Sequence, residues 1–350
     1  MNGSGPILAL LSAALFGVST PAAKALMGAI DPAILAGLLY CGAGFGIAIV
    51  RRIMRPLIGI ERVEAPLTRG DLPWLAGAIV AGGVAAPLLM MTGLVHTDAA
   101  TASLLLTLEG VATALLAWFA FHENFDRRIL LGMTFLVAGA AVLAWTGAPS
   151  VATLIGPLAI AAACLAWGLD NNLTRKVSLA DPLQIVELKG LIAGPVNLAV
   201  GLWVGGRLPG LEPLALAVLV GFLGYGVSLV LYVFALRQLG TARTGAYFAT
   251  SPFLGAIASF IVLAEPLTLK IVAAGLLMAT GIYLHLTERH EHEHVHDGLE
   301  HTHRHVHDEH HRHWHLSSDP PGEPHTHPHR HERLHHAHPH VPDMHHTHSH

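Results

Sequence analysis

Residues 6–28 read PILALLSAALFGVSTPAAKALMG, an unbroken apolar run whose single charged side chain, Lys24, stands near its end. A helix needs about 20 mostly apolar residues to cross the hydrocarbon core of a bilayer, so this run is read as a membrane span. Runs of the same kind recur at 32–50, 72–93, 99–121, 129–146, 155–173, 182–203, 214–236, 244–263 and 267–286, separated by short polar or Pro/Gly-rich breaks. Ten spans are expected. The composition agrees, with 52% hydrophobic and 13% charged residues, where soluble domains carry roughly 25% charged. The residues ahead of the first run hold no Lys or Arg, so the basic region of a cleavable signal is missing and the first span is expected to be retained.

Basic residues set the expected orientation. Arg51, Arg52, Arg55, Arg62, Arg69, Arg127, Arg128, Arg175, Lys176, Arg237 and Arg243 all fall on one side of a ten-span layout, and only Lys24, Arg207 and Lys270 on the other. Both termini are therefore expected in the cytoplasm, with the protein in a bacterial inner membrane. The chain also repeats itself. Phe16-Gly17 matches Trp167-Gly168, Lys24 matches Arg175, and Asp31-Pro32 matches Asp181-Pro182; later Glu123 matches Glu265 and Arg128 matches Lys270. Two repeats, 1–148 and 149–289, follow from this. Five spans per repeat is an odd number, so the second copy must enter the membrane inverted. The expectation is an all-α membrane protein of two inverted five-helix repeats, an architecture of transporters whose substrate site lies near the midplane between the copies.

These residues resemble the drug/metabolite transporter superfamily in its EamA-type branch, over about residues 7–286. The resemblance is carried by Ala14-Leu15-Phe16-Gly17 and Leu165-Ala166-Trp167-Gly168 in the first span of each repeat. It is carried again by the Glu-ended fourth spans, Ala117-Trp118-Phe119-Ala120-Phe121-His122-Glu123 and Ile261-Val262-Leu263-Ala264-Glu265-Pro266. The resemblance implies a secondary transporter, often an exporter of small metabolites, and not an enzyme. No Gly-x-x-x-x-Gly-Lys-Ser/Thr phosphate loop occurs. One departure stands out: the second repeat has Ser251-Pro252 where the first has Glu109-Gly110, so the usual kinking proline is absent there.

An ionisable group at the bilayer centre costs at least ~2.5–3.5 kcal/mol on insertion scales, so such groups mark a cavity or a partner. Glu109 follows Leu104, Leu105, Leu106 and Leu108 deep in its span, and Asp170, Asn171 and Asn172 form a polar run late in the sixth. Lys189 is the best cationic partner for Glu109 or Asp170; Glu187, two positions away, points to a different helix face. Arg243, Tyr247 and Thr250 share one face of the ninth span. The candidate substrate-binding residues are Glu109, Asp170, Asn171, Lys189, Arg243 and Tyr247. Lys24 and Arg175 are expected to snorkel to the interface, Glu123 and Glu265 to pair with Arg128 and Lys270, and Gly42-x-x-x-Gly46 to serve close helix packing. Cys41 and Cys164 lie in apolar runs and suggest neither a disulfide framework nor a thiolate metal site.

From residue 290 onward the composition changes: 24 of the 27 histidines lie there, in six sets of four. His290, His292, His294 and His296 form the first set; His301, His303, His305 and His307 the second; His325, His327, His329 and His331 another. Apolar content is too low for a packed core, so a disordered tail is expected. Imidazole suits Zn, Ni and Co, and at neutral pH most of these nitrogens are free to coordinate. The sequence thus predicts a secondary transporter of a small solute whose cytoplasmic tail binds transition metals, with no required cofactor. A divalent Zn/Ni/Co exporter and a membrane-bound metal buffer or sensor remain as alternatives. The expected partners are the lipid bilayer, a small-molecule substrate and divalent metal at the tail, with no nucleic acid; association as a homodimer is left open.

Overall fold

Hydrocarbon offers no water to backbone N–H and C=O groups, so an apolar run crosses it as a helix that satisfies them internally. The computed structural model describes residues 4–54, 66–121, 127–145, 151–177, 180–239, 241–286, 290–296, 300–305, 325–330 and 334–340. Its helices are α1 (Ser4–Leu26), α2 (Pro32–Ile49), α3 (Leu72–Ala78), α4 (Ala86–Val95), α5 (Ala99–Leu105), α6 (Leu108–Phe121), α7 (Arg127–Ala144), α8 (Val151–Arg175), α9 (Pro182–Trp203), α10 (Leu211–Gly221), α11 (Ser228–Leu239), α12 (Thr241–Phe248), α13 (Ser251–Val262) and α14 (Leu269–Leu286). Wider π-helical turns extend α2 over Val50–Met54, join α3 to α4 over Ile79–Ala85, and join α10 to α11 over Phe222–Val227. Among the described residues, eight helical stretches are long and apolar enough to cross a membrane; Ser251–Val262 and Leu269–Leu284 are shorter apolar helices. Large apolar side chains such as Phe119, Trp203, Leu211 and Leu269 stay exposed on the outside, where lipid rather than water would meet them.

Helix α2 runs against α9 on one side and against α10 and its π-helical turn on another, while α1 packs on α11 and α13, α8 on α4 and α6, and α7 on α14. Small residues make these approaches close. A Cβ added to Gly44 would stand 2.5 Å from the Leu191 nitrogen and 2.6 Å from the Gly190 carbonyl carbon, so α2 and α9 touch backbone to backbone. On a second face of α2, Gly42 meets the backbone of Val218 and Gly46 the ring of Phe222. The expected role of that spacing in close packing is what the structure shows.

Two of the apolar runs expected to be spans are interrupted along their length. The fourth stops at Leu105 and restarts at Leu108, with tightened bonds from Thr107 N to Leu104 O (3.0 Å) and from Glu109 N to Leu106 O (3.0 Å). The ninth stops at Phe248 and restarts at Ser251. Only the second break has a proline at its restart, so the missing proline of the first does not keep that helix straight. Within the tail the described residues form short strands: β1 (His290–His296) pairs antiparallel with β4 (Leu334–His340), and β2 (Glu300–His305) with β3 (His325–Arg330). The His-x-His alternation has the strand period of two, and the register sets His290 opposite His340 and His301 opposite His329.

Gly190→Val should lower stability by about 1–3 kcal/mol or more, the usual range for forcing atoms into a packed contact. Gly275→Ala, where an added Cβ meets nothing within 4 Å, should be neutral or stabilising. Thermal unfolding of the detergent-solubilised protein followed by tryptophan fluorescence checks both.

Candidate functional site

The break between α5 and α6 puts Glu109 in the first turn of α6, the end of a helix whose dipole favours an acid. Opposite stands the polar run of α8, whose three members part at helical spacing. Asn171 donates through Nδ2 to Glu109 Oε1 (2.9 Å) and to Thr113 Oγ1 (3.1 Å). Asn172 donates to the backbone oxygens of Thr113 (3.1 Å) and Gly168 (2.8 Å), which ties α8 to α6. Asp170 turns the other way. Its Oδ1 accepts from Lys189 Nζ at 2.5 Å and from Thr174 Oγ1 at 2.8 Å, and Lys189 lies 3.0 Å from Thr174 Oγ1. Both members of the ion pair are largely buried. Gly82 leaves the space that the Asp170 carboxylate fills, since a Cβ there would collide with it.

The π-helical turn around Gly82 explains a second set of contacts. Widening the turn frees carbonyls from the regular ladder, and side-chain donors take them: Tyr40 OH (2.6 Å) and Trp167 Nε1 (3.1 Å) donate to Gly82 O, and Asn197 Nδ2 (2.9 Å) to Gly83 O. From Tyr40 a row of rings runs across the molecule. Tyr40 meets Tyr225 at 5.6 Å between centroids, Tyr225 meets Phe16 at 5.8 Å, Phe16 meets Phe248 at 5.5 Å, and Phe248 meets Tyr232 at 4.9 Å. Glu109, Asp170 and Lys189 leave one carboxylate in excess, and among the described residues no cation lies within 4.0 Å of Glu109.

Four of the six candidate residues therefore come together: Glu109 with Asn171, and Asp170 with Lys189. Tyr247 is half-buried on α12, while the side chain of Arg243 lies outside the described residues. The expected face does not continue to Thr250, because α12 ends at Phe248 and the Thr250 hydroxyl donates instead to Tyr247 O at 2.6 Å. Other expectations are corrected. Lys24 is held within the protein: its Nζ donates to Leu94 O (2.5 Å) near the end of α4 and to Thr97 O (3.0 Å) just beyond it. Glu265 does not pair with Lys270; it accepts from the Ala99 and Ala100 backbone nitrogens, both at 2.8 Å. Glu187, 1% exposed, is held by Arg51 at 2.5 Å and by Arg52, and Asp181 stands 3.7 Å from Arg51. Glu123, His307 and His331 lie outside the described residues, and so do the side chains of His290, His292, His294, His296, His301, His303, His305, His325, His327 and His329, whose backbones form the strands. Among the described residues no group of three or more His, Cys, Asp or Glu could hold a metal ion.

Sequence reading missed Tyr40, Thr113, Tyr225 and Tyr232. The available signal was a hydroxyl inside an apolar run, on a ring for the three tyrosines. The carbonyl of Gly82 gave none.

A lipid-facing helical fold with an ion pair and an acid inside it is that of an integral membrane protein, and comparison with known proteins gives its class. The sequence profile of the EamA-like transporter family matches residues 3–145 and again 154–287. The chain belongs to that family. An uncharacterized transporter of Methanothermobacter thermautotrophicus is 30% identical over 80% of this chain and 85% of its own length. A probable amino-acid metabolite efflux pump of Salmonella typhimurium is 25% identical over 82% of this chain and 96% of its own. A probable terminal-alkyne amino-acid exporter of Streptantibioticus cattleyicolor is 26% identical over 65% and 76%. A solved crystal structure shares the fold at a TM-score of 0.59 and 17% identity, covering 81% of this chain and 96% of its own. The protein is thus a membrane transporter and not an enzyme.

Lys189→Met should destabilise the protein by about 3–5 kcal/mol, because it leaves the Asp170 carboxylate buried without its cation. The double variant Asp170→Asn/Lys189→Met should lose much less. Thermal melts of wild type, both single variants and the double variant close this cycle.

Proposed function

We propose that this chain is a secondary exporter of a small amino-acid-like solute, and that the solute's cationic group meets Glu109. The observation that carries the reading is Glu109 itself: an acid at a mid-membrane helix break, facing Asn171 and without a cation among the described residues. Asn171 and Tyr247 complete the contact, with Arg243 at the entry of the ninth span. Asp170 and Lys189 neutralise one another and hold α8 against α9 behind them. The amino-acid character is suggested by the names of the Salmonella and Streptantibioticus relatives.

The architecture in this reading is ten spans in two inverted repeats, 1–148 and 149–289, with both termini in the cytoplasm of a bacterial inner membrane. Three recurrences support the duplication. The family profile matches twice, π-helical turns interrupt the third and eighth spans at Ile79–Ala85 and Phe222–Val227, and breaks interrupt the fourth and ninth. The histidine-rich tail binds Zn, Ni or Co in this reading, as a regulatory or buffering segment. Export of the metal itself would call for a ligand group within the spans, and among the described residues none is formed.

Glu109→Gln keeps shape and removes charge, so it should cut export at least about tenfold, the factor that ~1.4 kcal/mol of lost stabilisation produces, while expression survives. Counterflow in proteoliposomes with a panel of amino acids and their analogues measures it; wild-type kinetics in the variant would remove Glu109 from the site.

Ending the chain after Arg289 should leave transport of the solute intact and reduce bound Zn, Ni and Co nearly to zero, read by metal analysis of the purified protein. Metal retained by the shortened chain would place the binding elsewhere.

A further inference from the structure

Glu265 sits between α13 and α14, past the end of its own helix, and both carboxylate oxygens are used on another span. Oε1 accepts from Ala99 N and Oε2 from Ala100 N, each at 2.8 Å. These two donors open α5 and have no partner within that helix. A carboxylate that takes one N–H on each oxygen makes two charge-assisted bonds of fixed geometry. The backbone is bent to deliver it: Ala264, just before Glu265, has φ 53°, the one left-handed non-glycine residue among those described. An L-residue with a Cβ pays roughly 1–2 kcal/mol for that conformation, and such strain persists only where surrounding contacts over-determine it.

Those two bonds close the end of a seam that is otherwise poorly satisfied. Helix α5 packs on α13 there, and α13 on α1. A Cβ on Gly255 would stand 2.8 Å from Ser103 Oγ, and one on Gly17 would stand 3.0 Å from the Gly255 nitrogen. Yet the hydroxyls of Ser103 and Ser251, both buried in this region, have no hydrogen-bond partner. Buried hydroxyls without partners oppose the closed arrangement. The neighbouring halves of the same two spans go elsewhere, α6 to α8 and α12 to α1 and α11. The fourth and ninth spans are therefore joined at the Glu265 end. Outside the joint lies a cavity of about 180 Å³ lined by Asp98, Thr101, Glu265, Thr268 and Lys270 among others, through which the carboxylate can be reached.

We infer that Glu265 is a latch: its carboxylate on the Ala99 and Ala100 N–H groups holds the seam between α5 and α13 shut, and the transport cycle opens the protein on that side by releasing it. Glu265 is a positioning residue in this scheme and touches no substrate. The inference rests on the transporter reading, but its test needs no substrate.

The experiment uses the full-length chain in proteoliposomes, with Cys41 and Cys164 replaced by Ala and a single cysteine introduced as Ser251→Cys. The rate of its modification by a membrane-impermeant thiol reagent is measured from the side on which Asp98 and Glu265 lie. Adding Glu265→Gln, which leaves one oxygen acceptor, should raise that rate at least about tenfold. An unchanged rate in a variant with wild-type thermal stability would overturn the latch. Ala264→Gly tests it without removing the carboxylate. Glycine adopts the left-handed conformation without strain, so the closed form gains and the rate should fall severalfold; an unchanged or faster rate also overturns the inference. If no amino acid is carried by any form while the thiol rates respond as expected, the substrate reading fails and the latch stands.

Discussion

In hydrocarbon every backbone N–H and C=O must find a partner inside the protein, and the rest of this structure depends on that constraint. It turns each apolar run into a helix, and it makes each interruption conspicuous because the freed groups must be recaptured. Gly82 O and Gly83 O, released by a π-helical turn, are taken by Tyr40, Trp167 and Asn197. The N–H groups that open α5 are taken by Glu265. Lys24 takes the Leu94 carbonyl near the end of α4 and the Thr97 carbonyl just beyond it. Polar side chains inside the spans are, in large part, the devices that close gaps in the backbone ladder.

Charge is handled by the same rule of local completion. Asp170 and Lys189 pair within the helix bundle with Thr174 between them, and Glu187 is clamped by Arg51 and Arg52 where α2 widens at its end. Each pair joins distant segments, α8 to α9 and α2 to α9, so the charges also fix which helices meet. Glu109 stands apart. Its hydrogen-bond partner is the neutral amide of Asn171. An amide does not cancel a full charge, and in the function proposed above this carboxylate is the one that meets the solute's cationic group.

Close helix contact is supplied by absence of side chain. Gly44 and Gly190 bring α2 and α9 to backbone contact, Gly42 does so for α2 and α10, Gly46 makes room for the Phe222 ring, and Gly82 makes the pocket for Asp170. Only Gly42 and Gly46 were legible as a small-residue spacing. Gly82 was not, because what it accommodates comes from another span.

The sequence by itself determined the helical membrane class, the family and the identity of the unusual polar residues. These follow from run length, composition and duplicated motifs such as Phe16-Gly17 and Trp167-Gly168, all of them local properties of the chain. It also marked Glu109, Asp170, Asn171 and Lys189, since a polar group in an apolar run is visible without a fold. Tertiary structure alone decided the partners: Lys189 for Asp170, Asn171 for Glu109, Arg51 for Glu187, and two backbone amides for Glu265 in place of the expected Lys270. It also broke the fourth span without a proline and arranged the alternating histidines of the tail into paired strands. The physical reason is that a hydrogen bond or ion pair is set by distances between segments far apart in sequence, and helical periodicity fixes only the face a residue occupies, never the neighbour that face will meet.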